Sequence, residues 1–156
     1  MTSSESKFDL PTRRSTQRLA QLIAPLLAES DLVILTGPLG SGKTFFVRAL
    51  CRALGLSAAQ RVTSPTFTLV QEHDTVPPLA HADLYRLNGP AQLLELGLDA
   101  QRDDGRLLLV EWGEPYIAQL GGDALVLTFA LDPRRVVVSA TGRRSRAILA
   151  ELGAKG

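Results

Sequence analysis

Apolar residues in this chain change rhythm several times, and each change marks an element. Leu19, Leu22, Ile23, Leu26 and Leu27 recur at helical spacing. Ser15 or Thr16 is positioned to cap that helix, and Pro25 predicts a kink or an early end. Leu32–Thr36 is a short, partly β-branched apolar run and reads as a buried strand; residues 45–54 read as a helix stopped by Gly55. Residues 61–66 contain Ser64-Pro65, lack periodicity and read as a loop. Residues 67–73 alternate like a strand, 74–78 form a turn, and 79–84 are a second short strand. Pro90 opens a helix over 91–96 that Gly97 closes. Residues 107–110 are continuously apolar, as in a strand buried on both faces. Residues 125–131 and 136–141 flank Asp132-Pro133-Arg134 as an antiparallel hairpin, and a last helix over 145–152 follows Gly142. Residues 1–7 are polar and read as a disordered tail, which leaves 8–156 as a single domain. The pattern predicts an α/β fold with parallel strands in the core and antiparallel strands beside them.

Composition narrows the setting. A chain of 156 residues with 45% hydrophobic and 21% charged residues suits one globular domain with a real core. Seventeen Lys plus Arg against 16 Asp plus Glu give no general polyanion-binding surface. The apolar run at 22–28 is too short to span a bilayer, and the polar start lacks the apolar core of a secretory signal. The single cysteine, Cys51, fits a packing role and a reducing compartment, so a cytoplasmic location is expected.

The sharpest chemistry lies between the first strand and the second helix. Gly37-Pro38-Leu39-Gly40-Ser41-Gly42-Lys43-Thr44 spells a phosphate-binding loop in the setting such a loop requires. Glycines let backbone N–H groups converge on an anion, and the helix N-terminus adds unpaired donors. Lys43 supplies a charge for the β- and γ-phosphates, and the Thr44 hydroxyl can ligate Mg²⁺. A nucleoside triphosphate site is expected.

Other residues admit two readings each. Glu111 ends the apolar run at 107–110, where folds of this kind hold Mg²⁺ directly or through water; its longer reach suits polarising a water, and a solvent-facing carboxylate is the plain alternative. Trp112 beside it is either a core residue or a contact for a partner. His81, Asp83 and Tyr85 share one face if the strand runs through them, which gathers groups able to orient a water or a metal; an ordinary half-exposed strand is the alternative. His73 and His81 are too weak a pair to argue for zinc. Ser64-Pro65-Thr66 is placed like a switch that senses the γ-phosphate, or is a plain turn. Arg134, Arg135, Arg143, Arg144 and Arg146 form a basic cluster, either a solvated face or a contact for phosphates.

These segments, taken in order, resemble the TsaE (YjeE) family of ATPases in bacterial tRNA threonylcarbamoyladenosine biosynthesis. The resemblance rests on the loop 37–44, Thr63-Ser64-Pro65-Thr66-Phe67-Thr68-Leu69-Val70, His81-Ala82-Asp83-Leu84-Tyr85-Arg86-Leu87 and Val110-Glu111-Trp112, with Leu94-Glu95-Leu96-Gly97-Leu98 as a weaker fifth piece. It covers residues 8–113 well and the last third loosely. It departs at Pro38, where the family usually has Asp, a change that leaves the glycines intact. The resemblance implies a three-layer P-loop NTPase-like fold that binds ATP and Mg²⁺. By it, Leu39, Gly40, Ser41, Gly42, Lys43 and Thr44 wrap the phosphates, Ser64 and Thr66 belong to the nucleotide switch, and Thr44 and Glu111 ligate Mg²⁺. Asp83, Glu111 and Lys43 are the implied catalytic residues. It further implies partnership with the TsaD–TsaB pair, which modifies tRNAs reading codons that begin with adenine, with ATP hydrolysis resetting that pair and tRNA reached only through the complex.

A small-molecule kinase on the same scaffold is the competing reading. Such kinases usually begin with the phosphate loop and carry an arginine-bearing lid. Here a full helix precedes the loop, and no arginine lies between Glu111 and the hairpin. A nucleotide-gated binding module with negligible turnover is the third reading.

Overall fold

In the computed structural model, which describes residues 5–63, 65 and 69–155, seven strands form a single sheet. They are β1 (Ser6–Asp9), β2 (Leu32–Thr36), β3 (Val70–His73), β4 (Leu79–Asp83), β5 (Leu107–Glu111), β6 (Leu125–Leu131) and β7 (Arg134–Ala140), in the order β1-β7-β6-β2-β5-β4-β3. The four central strands, β6, β2, β5 and β4, run parallel, while β3, β7 and β1 pair antiparallel at the flanks. The expected α/β class, with a parallel core and antiparallel edges, is what the chain adopts.

Helices cover both faces. On one face α1 (Arg13–Ile23), α2 (Lys43–Ala53) and α5 (Arg143–Lys155) pack Leu19, Ile23, Phe46, Val47, Leu50, Ile148 and Leu152 against Val33, Leu35, Leu109, Leu127 and Val138. On the other, α3 (Pro90–Glu95) and α4 (Leu98–Asp103) bring Leu93 and Leu98 onto Ile34, Ala80, Ala82, Leu108 and Val110. Because the core strands are covered on both sides, their sequences are continuously apolar rather than alternating. Cys51 lies fully inside the first cluster, and burial pushes its thiol up to about 12.

Several local expectations are corrected. Ser6 and Lys7 belong to β1 rather than to a tail, since β7 offers a free ladder on which Ser6 to Asp9 pair with Val138 to Arg135; residues 1–4 lie outside the described part. Thr12, not Ser15 or Thr16, caps α1. Its hydroxyl accepts from the Ser15 N–H at 3.1 Å, and the Ser15 hydroxyl accepts from the Thr12 N–H at 3.1 Å, closing a capping box. The early end expected at Pro25 is what the chain adopts: Pro25 falls in a 3-10 turn, Ala24–Leu26, and α1 ends before it. Gly97 does close α3, but at a φ of +69° it also caps α4, which the pattern did not suggest.

Candidate active site

The glycine-rich loop joins the C-terminal end of β2 to α2. Gly37 has a φ of +136°, and a Cβ there would lie 2.5 Å from the Phe129 carbonyl oxygen, so only glycine lets the loop leave the sheet this close to β6. Gly42, at a φ of +104°, turns the chain into α2, whose first amides have no carbonyl one turn earlier to bond. The Ser41 hydroxyl is buried and has no partner among the described residues. Helix-start amides without a carbonyl partner suit an anion with several acceptor oxygens.

A cleft of about 430 Å³ opens over this loop. Leu39, Gly40, Ser41, Gly42, Lys43 and Thr44 line one side, and Asp83, Tyr85, Arg86, Glu111 and Trp112 the other. The structure therefore brings together every sequence-expected site residue except Ser64 and Thr66, which lie outside the described residues. Asp83 and Glu111 meet because β4 and β5 are parallel neighbours in register, Asp83 beside Glu111, at the strand ends nearest the loop. Both carboxylates are buried, at 7% and 3% exposure, which disposes of a solvent-facing Glu111 and of a half-exposed strand at Asp83. His81, two residues before Asp83 on the same face, is fully buried, and its Nε2 stands 2.7 Å from Glu111 Oε2.

Tyr85 departs from the expected shared face. The strand ends at Asp83, whose Oδ1 accepts from the Tyr85 N–H at 3.0 Å, and the chain turns there. The Tyr85 ring then meets the Trp112 ring at 5.0 Å, tilted by 54°. Trp112 has a φ of +61°, a conformation costing a non-glycine residue about 1–2 kcal/mol. In return its indole reaches back over the cleft, 4.1 Å from Lys43 Nζ. Trp112 is thus neither plain core nor plain surface: it forms one wall of the cleft.

Lys43 is 5% exposed and donates to the carbonyl oxygens of Gly37 and, at 3.4 Å, Pro38. Burial lowers its pKa, opposed by the negative charges of Glu111, Asp83 and Glu114. An ammonium ion so enclosed lacks water and faces a hollow lined with donors, the setting in which an incoming phosphate gains most. The oxygen donors at hand also fit a divalent cation. Thr44 offers a hydroxyl and Glu111 a carboxylate, hard ligands that suit Mg²⁺, which takes one or two protein groups and completes its shell from phosphates and water.

A second cleft, of about 420 Å³, lies beyond the same loop. It is lined by Thr12, Arg13, Ser41, Gly42, Phe45, Arg48, Phe129, Arg134 and Arg135, with no acidic residue among its lining. This divides the C-terminal arginine cluster. Arg134 and Arg135 join a basic chamber beside the loop, whereas Arg144 is structural: its Nε and Nη2 donate to Asp31 at 3.0 and 3.1 Å, and Nη2 donates to the Leu26 carbonyl at 2.8 Å. Sequence reasoning gave Arg13, Arg48 and Arg86 no role. A basic residue at a helix start, within a helix or in a turn carries no signal of its own, and only the fold places these three beside the loop.

Comparison with known proteins agrees with this geometry. A family model described as threonylcarbamoyl adenosine biosynthesis protein TsaE matches residues 10–137, which carries the resemblance past residue 113 into the hairpin. The tRNA threonylcarbamoyladenosine biosynthesis protein TsaE of Streptomyces coelicolor is 40% identical over 139 residues, covering 82% of this chain and 92% of that protein. Its counterpart in Bacillus subtilis is 34% identical over 141 residues, covering 88% and 87%. The crystal structure of YdiB from Bacillus subtilis superposes with a TM-score of 0.80 at 30% identity, covering 99% of this chain and 98% of that one. A family match over most of the length, two relatives aligned over more than four fifths of each chain and a shared fold agree on one conclusion: this chain belongs to the TsaE family.

Proposed function

We propose that this chain is a Mg²⁺-dependent ATPase serving the formation of threonylcarbamoyladenosine in tRNAs that read codons beginning with adenine. It works in the cytoplasm with the TsaD–TsaB pair, which its hydrolysis resets between turnovers, and meets tRNA only through that complex. The relatives' names support the pathway. The ATPase reading is carried by one observation: the loop amides, Lys43, Thr44, Asp83 and Glu111 converge on a single cleft.

In this reading the loop amides other than that of Ser41, which donates to the Pro38 carbonyl at 3.1 Å, and the N-terminus of α2 receive the β- and γ-phosphates. Lys43 leaves the Gly37 and Pro38 carbonyls and the Trp112 ring for the phosphate oxygens, so its charge is spent on the nucleotide only when one is bound. Thr44 and Glu111 hold Mg²⁺, which when bound neutralises the charge gathering on the phosphates. Asp83, beside Glu111, orients the attacking water. Ribose and base run past Ser41 and Gly42 into the second cleft, between α1 and the β6–β7 hairpin. Ser64 and Thr66 belong to the segment that follows the state of the γ-phosphate.

The test is phosphate release from ATP, with and without purified TsaD–TsaB. Glu111→Ala is expected to bind nucleotide yet lose turnover by about a hundredfold or more. Equal rates for variant and parent would sink the metal assignment. Phosphoryl transfer seen only with an added metabolite, and indifferent to the partners, would establish the kinase reading instead.

A further inference from the structure

His81 has no assigned task in the chemistry above, yet it is bonded to a residue that has one. It sits inside β4, fully buried, on the face that carries Asp83. One ring nitrogen, Nε2, is 2.7 Å from Glu111 Oε2, and the other, Nδ1, has no partner among the described residues. A buried polar atom left unpaired costs about 1–3 kcal/mol, so the imidazole carries a cost at Nδ1 that only its bond to Glu111 offsets. Glu111, by contrast, ends its strand on three rotatable bonds, and a carboxylate that must act in one orientation benefits from a rigid donor. A strand-borne imidazole is such a donor: its own backbone is locked by the pairing of β4 with both β3 and β5.

We propose that His81 is a positioning residue, donating from Nε2 to Glu111 Oε2 so that the carboxylate is held ready for the cleft. The proposal rests on the reading of Glu111 as a Mg²⁺ ligand. Fixing the carboxylate in advance removes the ordering cost from the moment of metal binding, which is how partners behind a metal ligand come to alter affinity by about 10–100-fold. His81 touches neither nucleotide nor metal in this scheme. Its effect is therefore expected on the coupling between Mg²⁺ and nucleotide, and not on nucleotide binding in the absence of Mg²⁺.

The experiment measures ADP affinity by calorimetry on the full chain, with MgCl₂ and with EDTA, for the parent, His81→Leu, His81→Gln, His81→Asn and Glu111→Gln. The ratio of the two affinities is the coupling. His81→Leu relieves the unpaired Nδ1 but leaves the buried Glu111 Oε2 without its partner, so it is expected to melt below the parent, to bind ADP normally in EDTA, and to lose about tenfold of the coupling. His81→Gln, whose amide can reach the place of Nε2, is expected to keep most of it, and the shorter His81→Asn to lose it. Full coupling in a folded His81→Leu overturns the proposal. Should that variant not fold, equal coupling in His81→Gln and His81→Asn overturns it as well. The two readings separate at Glu111→Gln: if it keeps full coupling, the metal reading fails and takes the proposal with it. If it loses coupling while the His81 variants keep theirs, only the positioning role is wrong.

Discussion

Gly37 links the sheet to the glycine-rich loop, and replacing it tests how tightly the two are joined. In Gly37→Ala the new methyl would meet the Phe129 carbonyl oxygen at 2.5 Å, and Phe129 Cβ and Ser41 Oγ at 3.1 Å each. Phe129 cannot retreat easily, because its backbone is paired with Val136 in β7 and its ring packs 5.7 Å from Phe46. Two costs add. Holding a non-glycine residue at a φ of +136° costs about 1–3 kcal/mol, and forcing an extra methyl into a filled space costs about another 1–3 kcal/mol. A combined loss of about 4 kcal/mol lowers the melting temperature of a domain this size by about 8–16 °C. Gly122→Ala is the control: its φ is +84°, but a Cβ there meets open space among the described residues. That variant carries the backbone cost alone, about 1–2 kcal/mol, or about 2–8 °C. Thermal melts of parent and both variants followed by circular dichroism decide the matter. If Gly37→Ala melts within about 2 °C of Gly122→Ala, the close approach of loop to β6 contributes nothing and the reasoning fails.

Trp112 is the only tryptophan of the chain and packs against Lys43, so its emission is expected to shift when nucleotide draws the lysine away. Lys43→Ala should abolish that response and weaken ATP binding by about tenfold or more in equilibrium dialysis; unchanged affinity would refute the phosphate role. His73 has its pKa lowered, first by burial and then by the charges of His81 and Arg52, against the pull of Asp74. The unfolded chain therefore takes up this proton at a higher pH than the folded one, and stability falls as pH drops through about 6.5. Urea unfolding of the parent and His73→Gln, at about pH 7.5 and about pH 5.5, should show a flatter profile in the variant; a steeper one would contradict the sign. Arg144→Ala strips the buried Asp31 of two donors and leaves it the Ala28 N–H at 2.8 Å. Half of the arginine is exposed, so a loss of about 1–2 kcal/mol is expected, and a double-mutant cycle with Asp31→Asn should show coupling rather than additivity.

Much of the site was legible because its signals are local. A β-branched run, a glycine-rich turn and a helix start are neighbours in sequence, and so they are neighbours in space. Glu111 was legible because it ends an apolar run, and strand ends gather where a parallel sheet presents its ligands; Asp83 was legible because it shares a strand face with His81. The failures are equally instructive. β1 reads Ser-Lys-Phe-Asp, too short and too polar to declare itself, and exists because β7 leaves a ladder unpaired. Gly97 carries two meanings, the end of one helix and the start of another, and only one of them was apparent. Tyr85 was assigned by extending strand geometry past Asp83, whose own carboxylate ends the strand by bonding the Tyr85 amide.

By itself the sequence determined the order of most elements and singled out the candidate residues that now line one cleft, since spacing along the chain encodes both. What it could not determine is which of those residues meet. The pairing of β4 with β5 sets Asp83 beside Glu111, and the same sheet brings His81 to within a hydrogen bond of a residue 30 positions away. The turn at Trp112 lays an indole over Lys43, and the hairpin returns Arg134 and Arg135 to the loop they follow by some ninety residues. Each is a contact between distant segments, fixed by strand register and by the burial of two apolar layers rather than by any local preference. The loop at 37–44 could be read in one dimension; the site around it exists only in three.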